Sequence, residues 1–189
     1  MEDKIKNLRD RIFSLKTRKF GTVNELLVER IVEEFGLVVE DAKDTSYDRK
    51  IDNLKDEIKG SRVLLESKLK FSKDNIIECI MNHEVHRMIK FEDAKTKTWD
   101  SNMQQIKTNL FSTLWYSLFF EDKVLLFKIK NDVIREDSNI HYSDKQHRKN
   151  EGEGQFHITN KNIQYHVDNY LVKILTYEEV YEKLGKKGV

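Results

Sequence analysis

"KDEIKGSRVLLES", residues 55–67, places two acids before an apolar residue, a lysine, the small pair Gly60-Ser61 and an apolar run. The preceding "TSYDRKI", residues 45–51, has a similar texture, and Asp52-Asn53 lies between them. Those two residue types tolerate tight turns, so the segment reads as a β-hairpin. With Asp52-Asn53 as the turn, Ile51 pairs with Leu54 and the register puts Asp48 opposite Glu57. Cross-strand partners hold their Cβ atoms about 4.5–5.5 Å apart. Two carboxylates so placed repel, and a divalent cation is the usual compensation. Mg²⁺ suits such a pair, because it takes hard oxygen ligands and keeps waters or phosphates in the remaining positions. Lys59 is two residues past Glu57 and shares its face, whereas Ile58 points to the core. Gly60 permits another backbone to approach. The strand is half core and half site.

Working outward, the N-terminal residues 1–16 carry Ile5, Leu8, Ile12 and Leu15 at helical spacing, and a break is expected at "TRKFG". "TVNELLVERIVEEFG", residues 22–36, reads as a helix with Thr22 as cap, Glu25 in a capping box and Gly36 as its stop. After the hairpin, "SKDNIIECIMNHE" reads as a helix capped by Ser72, and residues 90–102 as a polar connector. "LFSTLWYSLFF", residues 110–120, reads as a buried helix, and "KVLLFKIK", residues 123–130, as a central strand. Residues 135–155 read as a long polar loop, "FHIT" as a short strand and "TYEEVYEKLG" as a closing helix. The fold class this implies is α/β, a mixed central sheet flanked by helices, with residues 1–189 forming one domain.

The pattern of Asp48 followed by Glu57-Ile58-Lys59 resembles the PD-(D/E)XK nuclease family, which includes most type II restriction endonucleases. The resemblance extends over roughly residues 20–185, with "NMQQIKTNLFSTLWYSLFFEDKVLLFKIK" and "GEGQFHITNKN" similar to the segments that follow the hairpin in such enzymes. It implies a restriction-endonuclease-like fold, Mg²⁺-dependent hydrolysis of double-stranded DNA and a homodimer. It implies metal binding by Asp48 and Glu57, assistance from Lys59, and a helix glutamate, for which Glu25 is the best fit. Where the family often has proline before its first acid, this chain has Tyr47, which keeps Asp44 and Asp52 as rivals to Asp48. The acid-x-lysine triplet also begins at Glu2, Asp41, Asp48, Glu66, Asp93 and Glu121. Only Glu57 combines an apolar middle residue, a strand and an opposed acid. The same hairpin serves junction resolvases and repair nucleases, and a non-catalytic DNA- or protein-binding module is the reading from a different class.

Gln104 and Gln105 are residue types that pair with adenine edges or hold phosphates, and equally that sit solvated at a surface. Lys145, Gln146, His147, Arg148 and Lys149, with His141 nearby, form the densest basic stretch, which could grip a DNA phosphate backbone or enter the major groove, or equally be a solvated loop; Asn160 and Lys161 are read the same way. His83 and His86 have zinc-compatible spacing but no further ligand, and Cys79 reads as a small buried residue. "GEGQ" is not a phosphate loop. Bulk composition agrees with a globular chain: 38% hydrophobic, 35% charged, net charge +1, a single cysteine. One cysteine, a charged N-terminal stretch and no long apolar run together lead to an expectation of a cytoplasmic protein without a membrane segment.

Overall fold

A computed structural model describes residues 1–67, 69–145 and 151–185. In chain order the elements are α1 (Glu2–Ser14), α2 (Thr17–Glu34), β1 (Val39–Asp41), β2 (Arg49–Ile51), β3 (Leu54–Arg62) and α3 (Ile76–Met81). There follow β4 (Asp100–Ile106), β5 (Thr113–Phe119), β6 (Lys123–Lys130), α4 (Asn131–Glu136), β7 (Ser143–Lys145) and β8 (Glu151–Thr159). The chain closes with α5 (Ile163–Tyr170), β9 (Leu171–Thr176) and α6 (Tyr177–Gly185).

The central sheet has the order β1-β2-β3-β5-β6-β9. Only β3 and β5 run parallel; the other neighbours are antiparallel, which makes the sheet mixed. Side-chain alternation divides its residues between two cores. Ile58, Trp115 and Phe119 pack beneath α1, α2 and α6 with Phe20, Leu27, Val28 and Ile31. Leu114, Tyr116 and Leu118 face the other way, against Met103, Phe156 and Ile158 of a second sheet, β4-β8-β7, and Ile163 of α5. The molecule is therefore a mixed α/β fold with a central sheet flanked by helices, plus a small sheet on one face.

Several elements differ from the sequence reading. Residues 113–119 form β5, not a buried helix, and every residue in it is buried. A strand covered on both faces has no polar alternation, so it reads as a continuous apolar run. The polar stretch 135–155 contains the end of α4, a 3₁₀ turn, β7 and the start of β8 among its described residues. Neither α5 nor β9 was expected. The break falls at Leu15-Lys16, ahead of "TRKFG", so helix α2 runs from Thr17, and the Thr22 hydroxyl bonds back to the Arg18 carbonyl at 3.3 Å instead of capping. That leaves Glu25 in mid-helix, free of any capping box. Its stop at Gly36 is as expected: φ is +78°, and Gly36 and Leu37 amides return to the Glu33 and Val32 carbonyls. Helix α3 begins after Asn75, not Ser72; the Asn75 side chain caps no helix amide and instead accepts from the Ser72 amide and hydroxyl.

Gly60 admits a side chain, not a backbone. Asn24 of α2 is buried directly over it, so a Cβ at residue 60 would meet Asn24 Cγ at 2.7 Å and Nδ2 at 2.8 Å. Gly60→Ala is expected to destabilise the fold by about 1–3 kcal/mol. Adding Asn24→Ala should recover most of that loss in urea unfolding. Equal stability of wild type and Gly60→Ala would show that this contact does not set the spacing of α2 and β3.

Candidate active site

The hairpin turn is of the I′ kind, with φ of +47° at Asp52 and +68° at Asn53. Ile51 pairs with Leu54, Lys50 with Lys55 and Arg49 with Asp56. At the next position the ladder opens. The Asp48 amide still donates to the Asp56 carbonyl at 3.1 Å, but the Ile58 amide donates to Asp48 Oδ2 at 2.8 Å. A side-chain carboxylate thus takes a bond that a strand backbone would otherwise make. This holds Asp48 at the level of Glu57 and Lys59. The Lys59 ammonium lies 3.8 Å from Asp48 Oδ2 and donates to Glu57 Oε1. The three side chains converge in the space where the two strands part.

Helix α2 supplies more charge from across the hairpin. Arg49 points to α2, with its Nε 3.2 Å from Glu29 Oε2 and one terminal nitrogen 3.7 Å from Glu25 Oε2. The same guanidinium donates to the Asp48 carbonyl at 2.7 Å. Arg49 and Glu29 were not singled out from the sequence. The available signal was the i, i+4 spacing of Glu25 and Glu29, which puts both on the helix face that meets an arginine.

The site holds an excess of negative charge. Burial pushes the Glu57 carboxyl up, and Lys59 only partly offsets it while Asp48 adds to it. Glu25 is also raised, by burial first and then by Asp48. For Lys59, burial acts to lower the pKa, but Glu57 and Asp48 outweigh it and hold the ammonium above its usual range. Lys59 is therefore a cation at neutral pH. Partly buried carboxylates with too few cations are a kind of donor set that suits a hard divalent ion, and Asp48 and Glu57 are the two that could hold one. Among the described residues no three or more acid, histidine or cysteine side chains make a complete ligand set. An ion here would draw its remaining ligands from water and substrate oxygens, as Mg²⁺ commonly does.

The rival acids are engaged elsewhere. Asp44 is exposed and accepts from the Ser46 amide at 2.8 Å. Asp52 sits in the turn and accepts from the Val38 amide at 2.9 Å. The residues proposed to touch DNA are not all brought together. Gln104 and Gln105 are exposed at a bulge of β4, where Gln105 has φ +60°, and Gln104 pairs with Gln155 of β8. Lys145, exposed on β7, pairs with Glu151 near the same end. Asn160 and Lys161 follow the opposite end of β8, roughly 17 Å of strand away. Gln146, His147, Arg148 and Lys149 lie outside the described residues. His83 and His86 are exposed, and Cys79 is buried with its Sγ 3.7 Å from the Lys70 carbonyl.

No family model matches the chain, and no curated protein matches it in sequence. Among solved structures, the bacterial homing endonuclease I-Ssp6803I is similar, with a TM-score of 0.42 and 13% identity over 77% of this chain and 79% of that chain. Among the described residues no helix is long and apolar enough to cross a membrane.

Proposed function

We propose that this protein is a Mg²⁺-dependent endodeoxyribonuclease of the PD-(D/E)XK kind, acting on double-stranded DNA as a type II restriction enzyme does. The observation that carries this reading is the convergence of Asp48, Glu57 and Lys59 where β2 and β3 part. Asp48, anchored to the Ile58 amide, and Glu57, anchored to Lys59, would hold the ion. Mg²⁺ held by them would supply Lewis-acid polarisation of the scissile phosphate and would lower the pKa of a water. Lys59, held protonated by its neighbours, donates to the attacking water or to a phosphate oxygen as negative charge builds there. Glu25, raised by burial and by Asp48 and paired with Arg49 at 3.7 Å, accepts a proton or orients a water. One P–O bond forms to the water oxygen and one breaks, and the leaving oxygen ends protonated. Pairing as a homodimer on a two-fold-symmetric DNA site belongs to the same reading.

Incubation of the protein with long duplex DNA is expected to give discrete fragments with Mg²⁺ and none with Ca²⁺. A smear would replace the restriction reading with that of a nonspecific nuclease. Preference for branched over linear duplex would favour a junction resolvase. Intact DNA under all these conditions would remove the nuclease reading altogether. Because Glu57 must be ionised to hold the ion and burial raises its pKa, cleavage should fail on acidification before the ordinary glutamate range is reached.

A further inference from the structure

Helix α3 is inside-out. A surface helix normally turns its apolar stripe to the core and its polar residues to water. Here Cys79 faces inward, 5% exposed, while Ile77 is 70% and Met81 79% exposed. At about 100° per residue, Ile76, Ile80, Ile77 and Met81 fill an arc of about 140° on the side away from Cys79. Phe71 and Val85, on the flanking segments, are exposed as well, Val85 at 85%. The Phe71 ring meets that of His83 at 6.5 Å, tying the segment before α3 to the one after it.

With residue areas of roughly 150–250 Å², these six side chains expose on the order of 700 Å². The largest apolar patch on a typical monomer is about 300–600 Å². A standard interface buries about 800 Å² per partner, so the patch nearly supplies one side of a stable dimer. The charges around it identify the occupant. Lys70 and Lys73 alternate with Asp74, Glu78 and Glu84 along the segment that carries it, while the Arg87 guanidinium is turned to the Leu65 carbonyl, its Nε at 2.9 Å. A nucleic-acid or anionic-lipid partner calls for one sign, positive, at the rim. A rim of both signs is self-complementary under two-fold rotation, where each acid on one copy can meet a base on the other.

We propose that the outward face of α3 is the surface through which two copies of this chain pair, the helices crossing at a two-fold axis near Ile77 and Met81. This deepens the homodimer of the nuclease reading, but its test uses no DNA, so either can fail without the other. Sedimentation velocity of the full chain at about 1 to 100 µM is expected to show a dimer. The double variant Ile77→Glu, Met81→Glu should raise the dissociation constant at least about 100-fold and sediment as a monomer. Both side chains point to solvent in the single chain, so the thermal unfolding midpoint extrapolated to low protein concentration should not fall. Wild type that is monomeric throughout, even if this face then captures vesicles or DNA, overturns the proposal. So does a dimer that survives both substitutions.

Discussion

Lys59→Ala is expected to slow single-turnover cleavage of duplex DNA by about 10²–10⁴-fold while leaving binding measured in Ca²⁺ within severalfold of wild type. Lys59 pairs with both Asp48 and Glu57, so its charge lies where phosphate charge would develop. Its ammonium stays protonated because those acids outweigh the effect of burial. Its loss therefore removes a preorganised cation and not merely a contact. Lys59→Arg keeps the charge but replaces a compact head with a planar fork, so it should recover only part of the rate. Asp48→Asn is the sharper companion. An amide oxygen can still accept from the Ile58 amide, so the opened ladder should persist while the charge that would hold the ion is gone. Cleavage should be lost with the unfolding midpoint little changed. Lys59→Ala and Asp48→Asn proteins that cut at wild-type rates would remove the site from this hairpin.

The sequence carried the hairpin because every part of that signal is local. Asp52 and Asn53 are among the few residues that accept two successive positive φ angles, and once they form the turn the register follows by counting. That register placed Asp48 level with Glu57 before any tertiary information. Helix α2 was legible at its end, where Gly36 closes it, but not at its start, because no side-chain cap marks Lys16. Strand β5 was misread since both of its faces are buried, which erases the period-two signal that distinguishes Leu114, Tyr116 and Leu118 from Trp115 and Phe119. Arg49 escaped notice for a related reason: its partners Glu25 and Glu29 are about twenty residues away, and only packing of α2 on the hairpin joins them. The two-sheet arrangement that carries Gln104, Gln105 and Lys145 to one end, and Asn160 and Lys161 to the other, depends on pairing of β4 with β8, which nothing local encodes.

Stability between about pH 4 and pH 6 should be nearly flat in the wild type and steep in Asp56→Asn. Two buried groups oppose one another there. Asp56 is 2% exposed; its Oδ2 accepts from Trp115 Nε1 at 3.0 Å, and its Oδ1 has no hydrogen-bond partner among the described residues. Burial pushes its pKa from 3.8 up to about 6, against the opposing pull of Trp115. The folded chain then binds this proton more readily than the unfolded one. Its contribution to stability is present in acid and lost as pH rises through about 6. His166 is fully buried, stacked on Phe156 and paired through Nδ1 with the Tyr116 hydroxyl at 2.8 Å. Burial lowers its pKa from 6.5 to about 4. Here the unfolded chain binds the proton more readily, so stability is present above 6.5 and is lost as pH falls toward 4. Each group carries at most about 3 kcal/mol across its window, with opposite sign. Glu57 and Glu25, both raised by burial, add to the Asp56 side. Glu34, held near 2 by its bond to Lys183, contributes stability that starts to be lost as pH falls through about 4.5, at the acid edge of this range. Asp56→Asn keeps an acceptor for Trp115 and deletes one arm of the balance. The variant should be more stable than wild type at neutral pH and should lose that advantage on acidification, as His166 acts with only Glu57 and Glu25 against it. Urea unfolding followed by tryptophan fluorescence at intervals from about pH 4 to pH 7.5 measures both curves. Parallel curves for the two proteins would mean that Asp56 titrates as an ordinary aspartate, and that its burial costs the fold nothing.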